Sequence, residues 1–276
     1  MKMMFITNNP QVAKKAEEAG VRRIFVDLEK TGKAERQGHL DTHITTHTIK
    51  DIKPIKKVLS TAEVLVRINP YSKNTPKEIE EVISSGADVI MLPMFENKKE
   101  VEKFIEDVDG RAKTCLLLET PQAFTRIKEI IQVPGINEIH VGLNDLSLGL
   151  GLDFMFEILS EGLLDYLTDI FKQYNIVFGF GGIARVGEGA LPAELVIKEH
   201  ARLGSRLVIL SRGFVKEREE IRSLEKVNLK LEVQKINIAY EEALNRDISS
   251  IENDRKKVVK VVREIACGQA SQKLSF

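Results

Sequence analysis

A chain of 276 residues with 43% apolar and 30% charged content can bury one large core without disulfides or a structural metal. Its 41 basic and 41 acidic residues cancel, which removes the net field that nucleic acid or an anionic membrane would need. No apolar run approaches a membrane span and the N-terminal apolar stretch is too short for a signal peptide, so a cytoplasmic protein that binds neither nucleic acid nor membrane is expected.

Short apolar runs alternate with charged segments of helical period along most of the chain, the pattern of repeated βα units around a parallel sheet. Strands are expected near residues 3–7, 23–28, 64–69, 88–93, 114–119, 138–142, 176–181 and 206–210. Eight such strands in a chain of this length predict an α/β fold, a closed (β/α)₈ TIM barrel. Thr75-Pro76-Lys77-Glu78 reads as a capping box with proline at the first helical position, and Gly86 follows the last turn. Pro121 opens a helix directly behind Glu119, and Pro192 opens one that Gly204 closes. Residues 1–216 form the barrel core in this reading, and 217–276 a C-terminal helical extension holding the last barrel helix. Ile251, Val258, Val262 and Ile265 make an apolar stripe in that extension. Such a stripe either packs back on its own barrel or crosses to a neighbouring subunit as an oligomerisation tail. Cys115 and Cys267 have neither metal-ligand spacing nor a disulfide partner pattern and read as structural.

The chemistry lies where the strands end. Glu119 and Asp145 each close an apolar run, and an unpaired buried carboxylate is costly enough that it normally meets a cation or donor. They are one strand-helix-strand unit apart, and neighbouring parallel strands lie about 5 Å from one another, so both acids can project from one rim toward a single divalent ion. Asp27 and Glu29 end strand two, Arg67 ends strand three and Asn144 follows strand six, all on the same rim. A hard cation held by two carboxylates keeps positions for water or substrate oxygens, and a nearby guanidinium can stabilise an enolate oxygen. The structural alternatives are a buried ion pair for Glu119, a helix N-cap for Asp145, and Arg67 as the partner of either acid.

These strand ends resemble the HpcH/HpaI class II pyruvate aldolases and the related citrate lyase β-subunits. The resemblance covers most of residues 1 to 215. It rests on Val26-Asp-Leu-Glu29, Val66-Arg67-Ile-Asn-Pro70, Gly86-Ala-Asp-Val-Ile-Met-Leu-Pro93-Met94, Leu118-Glu119-Thr120-Pro121 and Gly142-Leu-Asn-Asp145-Leu-Ser-Leu-Gly149. It implies a Mg²⁺ or Mn²⁺ ion bound by Glu119 and Asp145, with Arg67 on the carbonyl or enolate oxygen of a 2-oxo acid such as pyruvate. It further implies that the backbone amides of Gly142, Leu143 and Asn144 receive the substrate carboxylate, and that Asp27 and Glu29 orient water on the metal. An aldehyde would be the second partner, and the assembly a homo-oligomer, trimeric or hexameric.

The chain also departs from that pattern. The HpaI-type aldolases carry a histidine directly after the strand-two acid, where Lys30 stands here, so the proton-transfer group is left open. The stretch Lys30-Thr-Gly-Lys33-Ala-Glu-Arg36-Gln37 resembles the citrate lyase β branch, without its second acid. His39, His43 and His47 fall at helical spacing in a Thr-rich segment before the cap Thr48-x-x-Asp51; one of them, in a lid over the barrel mouth, could supply the base. Gly181-Gly182 with Arg185, and Arg212 after strand eight, suggest a place for an anionic substrate tail. Three functions are thus in play: a metal-dependent aldolase acting through a pyruvate-like enolate, an acyl-CoA lyase or thioesterase of the citrate lyase β type, and a barrel that has lost turnover and serves in binding or assembly.

Overall fold

The structure, a computed structural model, describes residues 1–30, 46–211, 214 and 228–273. Eight parallel strands close into a barrel in sequence order: β1 (Lys2–Ile6), β2 (Arg23–Asp27), β3 (Glu63–Arg67), β4 (Val89–Leu92), β5 (Lys113–Leu118), β6 (Glu138–Val141), β7 (Val177–Ile183) and β8 (Leu207–Leu210). The expected strands are all present, with ends shifted by a residue or two. β1 pairs with β8 to complete the ring, Met3 opposite Val208.

Helices α1 (Pro10–Glu18), α2 (Ile52–Val58), α3 (Thr75–Ser84), α4 (Lys98–Val108), α5 (Pro121–Thr125) and α6 (Ile127–Ile130) cover the first half of the barrel. The second half carries α7 (Leu143–Leu150), α8 (Glu157–Ser160), α9 (Leu163–Gln173) and α10 (Ala193–Leu203), followed by α11 (Leu229–Leu244) and α12 (Ile248–Lys273). Alternation along each strand sends one set of side chains outward to the helices, among them Ile24, Val64, Ile90 and Leu116, and the other inward. The inward set, Met4, Phe25, Leu65, Val89, Met91, Cys115, Leu117 and Leu207, fills the lumen, so the barrel is packed rather than a pore. Each fully buried Val, Leu or Ile contributes about 1.5–3 kcal/mol.

A charged plug closes the N-terminal end of the lumen. Arg23, with no exposed surface, gives both terminal nitrogens to Glu138, and Nε and Nη2 to Glu63 at 3.1 and 2.7 Å. Lys2 and Lys113 also reach Glu63, at 2.8 and 2.6 Å. This leaves the opposite, C-terminal rim as the polar opening.

One local expectation is corrected and one open alternative is decided. The helix after β3 starts at Thr75 rather than after it, and Glu78 turns away from a capping box to accept from the backbone and side-chain nitrogens of Asn69. The apolar stripe of α12 is covered by its own chain: Val258 and Val262 are fully buried, and Arg255 bonds the carbonyls of Leu159 and Ser160 in α8. The exposed apolar side chains of this region are instead Leu231, Ile238 and Leu244 on α11, with Ile248 opening α12. The expected domain boundary at 216/217 lies outside the described residues. Among the described residues, no helix is long and apolar enough to cross a membrane.

Candidate active site

At the C-terminal rim Asp27, Glu29 and Glu119 surround the Arg67 guanidinium, and Asp145 stands near Glu119. Asp27 and Arg67 are register partners on adjacent strands, which sets them side by side. Arg67 Nε and Nη2 donate to the two carboxylate oxygens of Asp27, each at 2.8 Å, and Nη1 lies 3.0 Å from Glu29 Oε2. The guanidinium carbon sits 5.7 Å from the Phe25 ring centroid, over the apolar lumen. Burial works against its charge, but Asp27, Glu29 and Glu119 outweigh it and hold Arg67 protonated. Of the five N–H groups of a guanidinium, three are taken by these acids, which among the described residues leaves one on each Nη for another oxygen.

Asp27 is held from both sides. Its Oδ1 also accepts from the Glu29 amide at 3.2 Å, and its own amide donates to Nδ1 of His47 at 3.0 Å. His47 is 96% buried, so it belongs to the wall of the site rather than to the surface. Thr48, the next residue, caps the following turn by donating its amide to Asp51 at 2.7 Å, which fixes where His47 enters.

Glu119 directly follows β5 and is only 3% exposed. Thr120 caps α5 by accepting the Ala123 amide and donates to the Phe95 carbonyl, which anchors the junction behind Glu119. Met94, with φ of 55°, turns its amide onto Glu119 Oε1 at 3.2 Å. Burial, with Asp145 and Glu29 close by, pushes the Glu119 carboxyl up to about 8, against the pull of Arg67 and the Met94 amide. Gly142 packs on it so closely that a Cβ there would lie 2.8 Å from Glu119 Oε2 and 2.9 Å from its Cβ. Asp145 is half-buried in the first turn of α7; the helix is capped by Gly142, so the N-cap reading of Asp145 does not hold.

Of the three amides expected to receive a carboxylate, that of Gly142 donates to the Leu118 carbonyl at 2.9 Å and closes the β5–β6 ladder. Leu143 and Asn144 remain at the start of α7, where the first amides have no intrahelical acceptor. Lys30 is exposed, and its amide donates to Asn69 Oδ1 at 3.0 Å. Arg185 pairs with Glu188 through Nε at 3.1 Å and Nη2 at 2.7 Å, which neutralises the cation expected to read a substrate tail. His39, His43 and Arg212 lie outside the described residues.

Sequence reasoning passed over one polar group in the lumen. His140 of β6 is 1% exposed, and its Nε2 is 3.0 Å from the Gly181 carbonyl oxygen. The signal was an imidazole between Ile139 and Val141 in an otherwise apolar strand.

The rim suits a hard dication. Among the described residues, Asp27, Glu29, Glu119 and Asp145 set four carboxylates at the rim beside the Arg67 guanidinium, and the Glu119 carboxyl, so far above the ordinary carboxylate range, marks a place where added positive charge is favourable. Among the described residues, no group of three or more His, Cys, Asp or Glu side chains is arranged to hold an ion by itself.

The HpcH/HpaI aldolase/citrate lyase family model matches residues 2–155. Solved structures share the fold. One is an HpcH/HpaI aldolase from Desulfitobacterium hafniense DCB-2, at 17% identity and a TM-score of 0.60, covering 76% of this chain and 85% of that one. Another is an HpcH/HpaI aldolase/citrate lyase family protein from Burkholderia cenocepacia J2315, at 14% identity and a TM-score of 0.61, covering 86% and 94%. A third is the protein CitE from Mycobacterium tuberculosis in complex with magnesium and acetate, at 14% identity and a TM-score of 0.58, covering 92% and 95%. No curated protein matches. With more than half of its length matched by the family model, the chain belongs to the HpcH/HpaI aldolase/citrate lyase family.

Proposed function

We propose that this chain is a divalent-cation-dependent carbon-carbon lyase that makes or breaks the bond next to a 2-oxo acid through a pyruvate-like enolate. Family membership supports a lyase-type activity. The observation that carries the finer reading is the Glu119 carboxyl, buried at the rim and pushed up to about 8 beside Asp145 and Glu29. Glu119 and Asp145 would hold the ion; their oxygens suit Mg²⁺ or Mn²⁺, and a magnesium complex of the similar CitE protein is in keeping with that class. When bound, such an ion supplies Lewis acidity that lowers the cost of gathering negative charge on a carbonyl oxygen.

The chain's own residues do the rest. The two N–H groups of Arg67 left by Asp27 and Glu29 can donate to the enolate oxygen, and the paired acids keep the guanidinium from rotating away as charge develops. The amides of Leu143 and Asn144 face the substrate carboxylate with the positive end of α7. The proton that moves at the aldol hydroxyl is handled either by water oriented by Asp27 and Glu29 or by a histidine at the mouth; among the described residues His47 is the candidate, accepting the Asp27 amide at Nδ1. The protein would work on a free 2-oxo acid and an aldehyde as a homo-oligomer, with the exposed apolar face of α11 as one contact.

The test is hydrogen-deuterium exchange at the pyruvate methyl group, followed by NMR with and without Mn²⁺, alongside direct Mn²⁺ binding. The parent should bind Mn²⁺ and exchange the methyl protons; Glu119→Gln and Asp145→Asn should lose both. Metal binding by both variants as tight as the parent's would sink the ligand assignment. The resemblance of residues 30–37 to the citrate lyase β branch keeps an acyl-CoA substrate as the second reading, so acetyl-CoA runs in parallel: exchange there and not with pyruvate moves the reading to the thioester branch.

A further inference from the structure

His140 is placed in the lumen one step beneath the rim, two residues before Gly142 on the same inward face of β6. Its register neighbours are Leu117 on β5 and Gly179 on β7. The Nε2 atom faces the Gly181 carbonyl oxygen at 3.0 Å. A carbonyl only accepts, so Nε2 carries the hydrogen and Nδ1 is a bare lone pair, buried and with no hydrogen-bond partner among the described residues. Burial, with Arg23 below and Arg67 above, pushes the imidazole down to about 4, against the pull of the Gly181 carbonyl and Glu138, so it stays neutral at working pH.

The acceptor is an unusual piece of strand. β7 loses register against β8 between Gly179 and Gly182, and Gly181 has φ of +52°. A Cβ on Gly179 would lie 2.2 Å from the Leu207 carbonyl oxygen, so that position has no room for a side chain. A Cβ on Gly181 would lie 2.8 Å from Leu143 Cδ1. Leu143 is the first residue of α7, follows the Gly142 that packs on Glu119, and precedes Asp145 by two.

We propose that His140 is a positioning residue: its Nε2–H fixes the Gly181 carbonyl, the bulge it pins supports Leu143, and Leu143 sets the start of α7 that carries Asp145 to the rim. The catalytic consequence rests on the cation reading above. The mechanical link does not. A glycine pair in an irregular strand has no side chain to lock its backbone, and one buried donor aimed at its carbonyl supplies that lock.

The experiment compares His140→Phe, which fills the space of the ring without a donor, with His140→Gln, whose side-chain amide reaches to about the position of Nε2. Hydrogen-deuterium exchange of the peptide covering α7 is read against that of α9, and Mn²⁺ affinity is measured on the same samples. His140→Phe should expose α7 to faster exchange while α9 is unchanged, and should weaken Mn²⁺ by about tenfold, as loss of an outer partner of a metal site does. His140→Gln should restore both. Parent-like exchange of α7 in His140→Phe overturns the proposal, and so does equal damage in the Phe and Gln variants, which would make the role one of packing. If His140→Phe fails to fold, ¹⁵N shifts of the parent imidazole decide: a hydrogen on Nδ1, or titration between about pH 6 and 8, overturns it. A parent that binds no Mn²⁺ removes the cation reading and leaves the exchange comparison to judge His140 by itself.

Discussion

Cation binding at this rim should release a proton, and the amount follows from Glu119. Its carboxyl is raised to about 8 by burial and by Asp145 and Glu29, whereas a cation accepts only the ionised form. At pH 7 such a group is protonated in about ten of every eleven molecules, so binding should release about 0.9 proton per ion from this residue. At pH 9 the release should fall to about 0.1, and the apparent affinity should rise about ninefold from pH 6 to 7 and about fivefold from pH 7 to 8. The sign for stability is the reverse of the usual carboxylate case. The folded value lies above the unfolded one, so the metal-free protein loses stability as pH rises from about 4.5 toward 8, and the ion restores it. Calorimetric titration of Mn²⁺ in two buffers of different ionisation enthalpy measures the release directly. Metal binding at pH 7 with no proton release would show that Glu119 is an ordinary carboxylate or not a ligand, and the reasoning would fail.

Three further outcomes are expected. Gly142→Ala forces a methyl group to within 2.8 Å of Glu119 Oε2 and should cost about 1–3 kcal/mol in urea unfolding, with Mn²⁺ affinity falling as Glu119 is displaced. Arg23→Met leaves Glu138 buried beneath the lumen without its bidentate partner and should destabilise by about 3–5 kcal/mol, read as a lower urea midpoint with the pyruvate exchange assay unaffected per folded molecule. Glu17 accepts the amides of Ser60, Thr61 and Ala62, which outweigh burial and hold its carboxyl down to about 2. Its folded value is depressed, so its contribution of about 3 kcal/mol is present above pH 4.5 and lost as pH falls toward 2; Glu17→Gln should flatten that part of the acid-unfolding curve.

The barrel was legible from the chain because eight apolar runs separated by capped helical segments admit few closures, and the acids that end β2, β5 and the β6–α7 turn stand out against strands that are otherwise apolar. Spacing along the chain also placed Asp27, Glu29, Arg67, Glu119 and Asp145 on one rim, since parallel strands all end on the same side. Only the tertiary structure decided who pairs with whom. Arg67 might have met any of four acids, and the β2–β3 register gives it to Asp27. His47 is separated from Asp27 by a segment that no periodicity locates, yet its imidazole receives the Asp27 amide. Arg185 looked available and is taken by Glu188 three residues on. The apolar stripe of α12 was equally suited to a neighbour or to its own barrel, and the fold of the chain covers it with α8 and α10. His140 depends on closure twice over: alternation sends it into the lumen, and only the bulge in β7 brings the Gly181 carbonyl to meet it. Residue type and period set the fold and the rim because they act within one strand or helix; pairing depends on distances between strands, which exist only once the ring has closed.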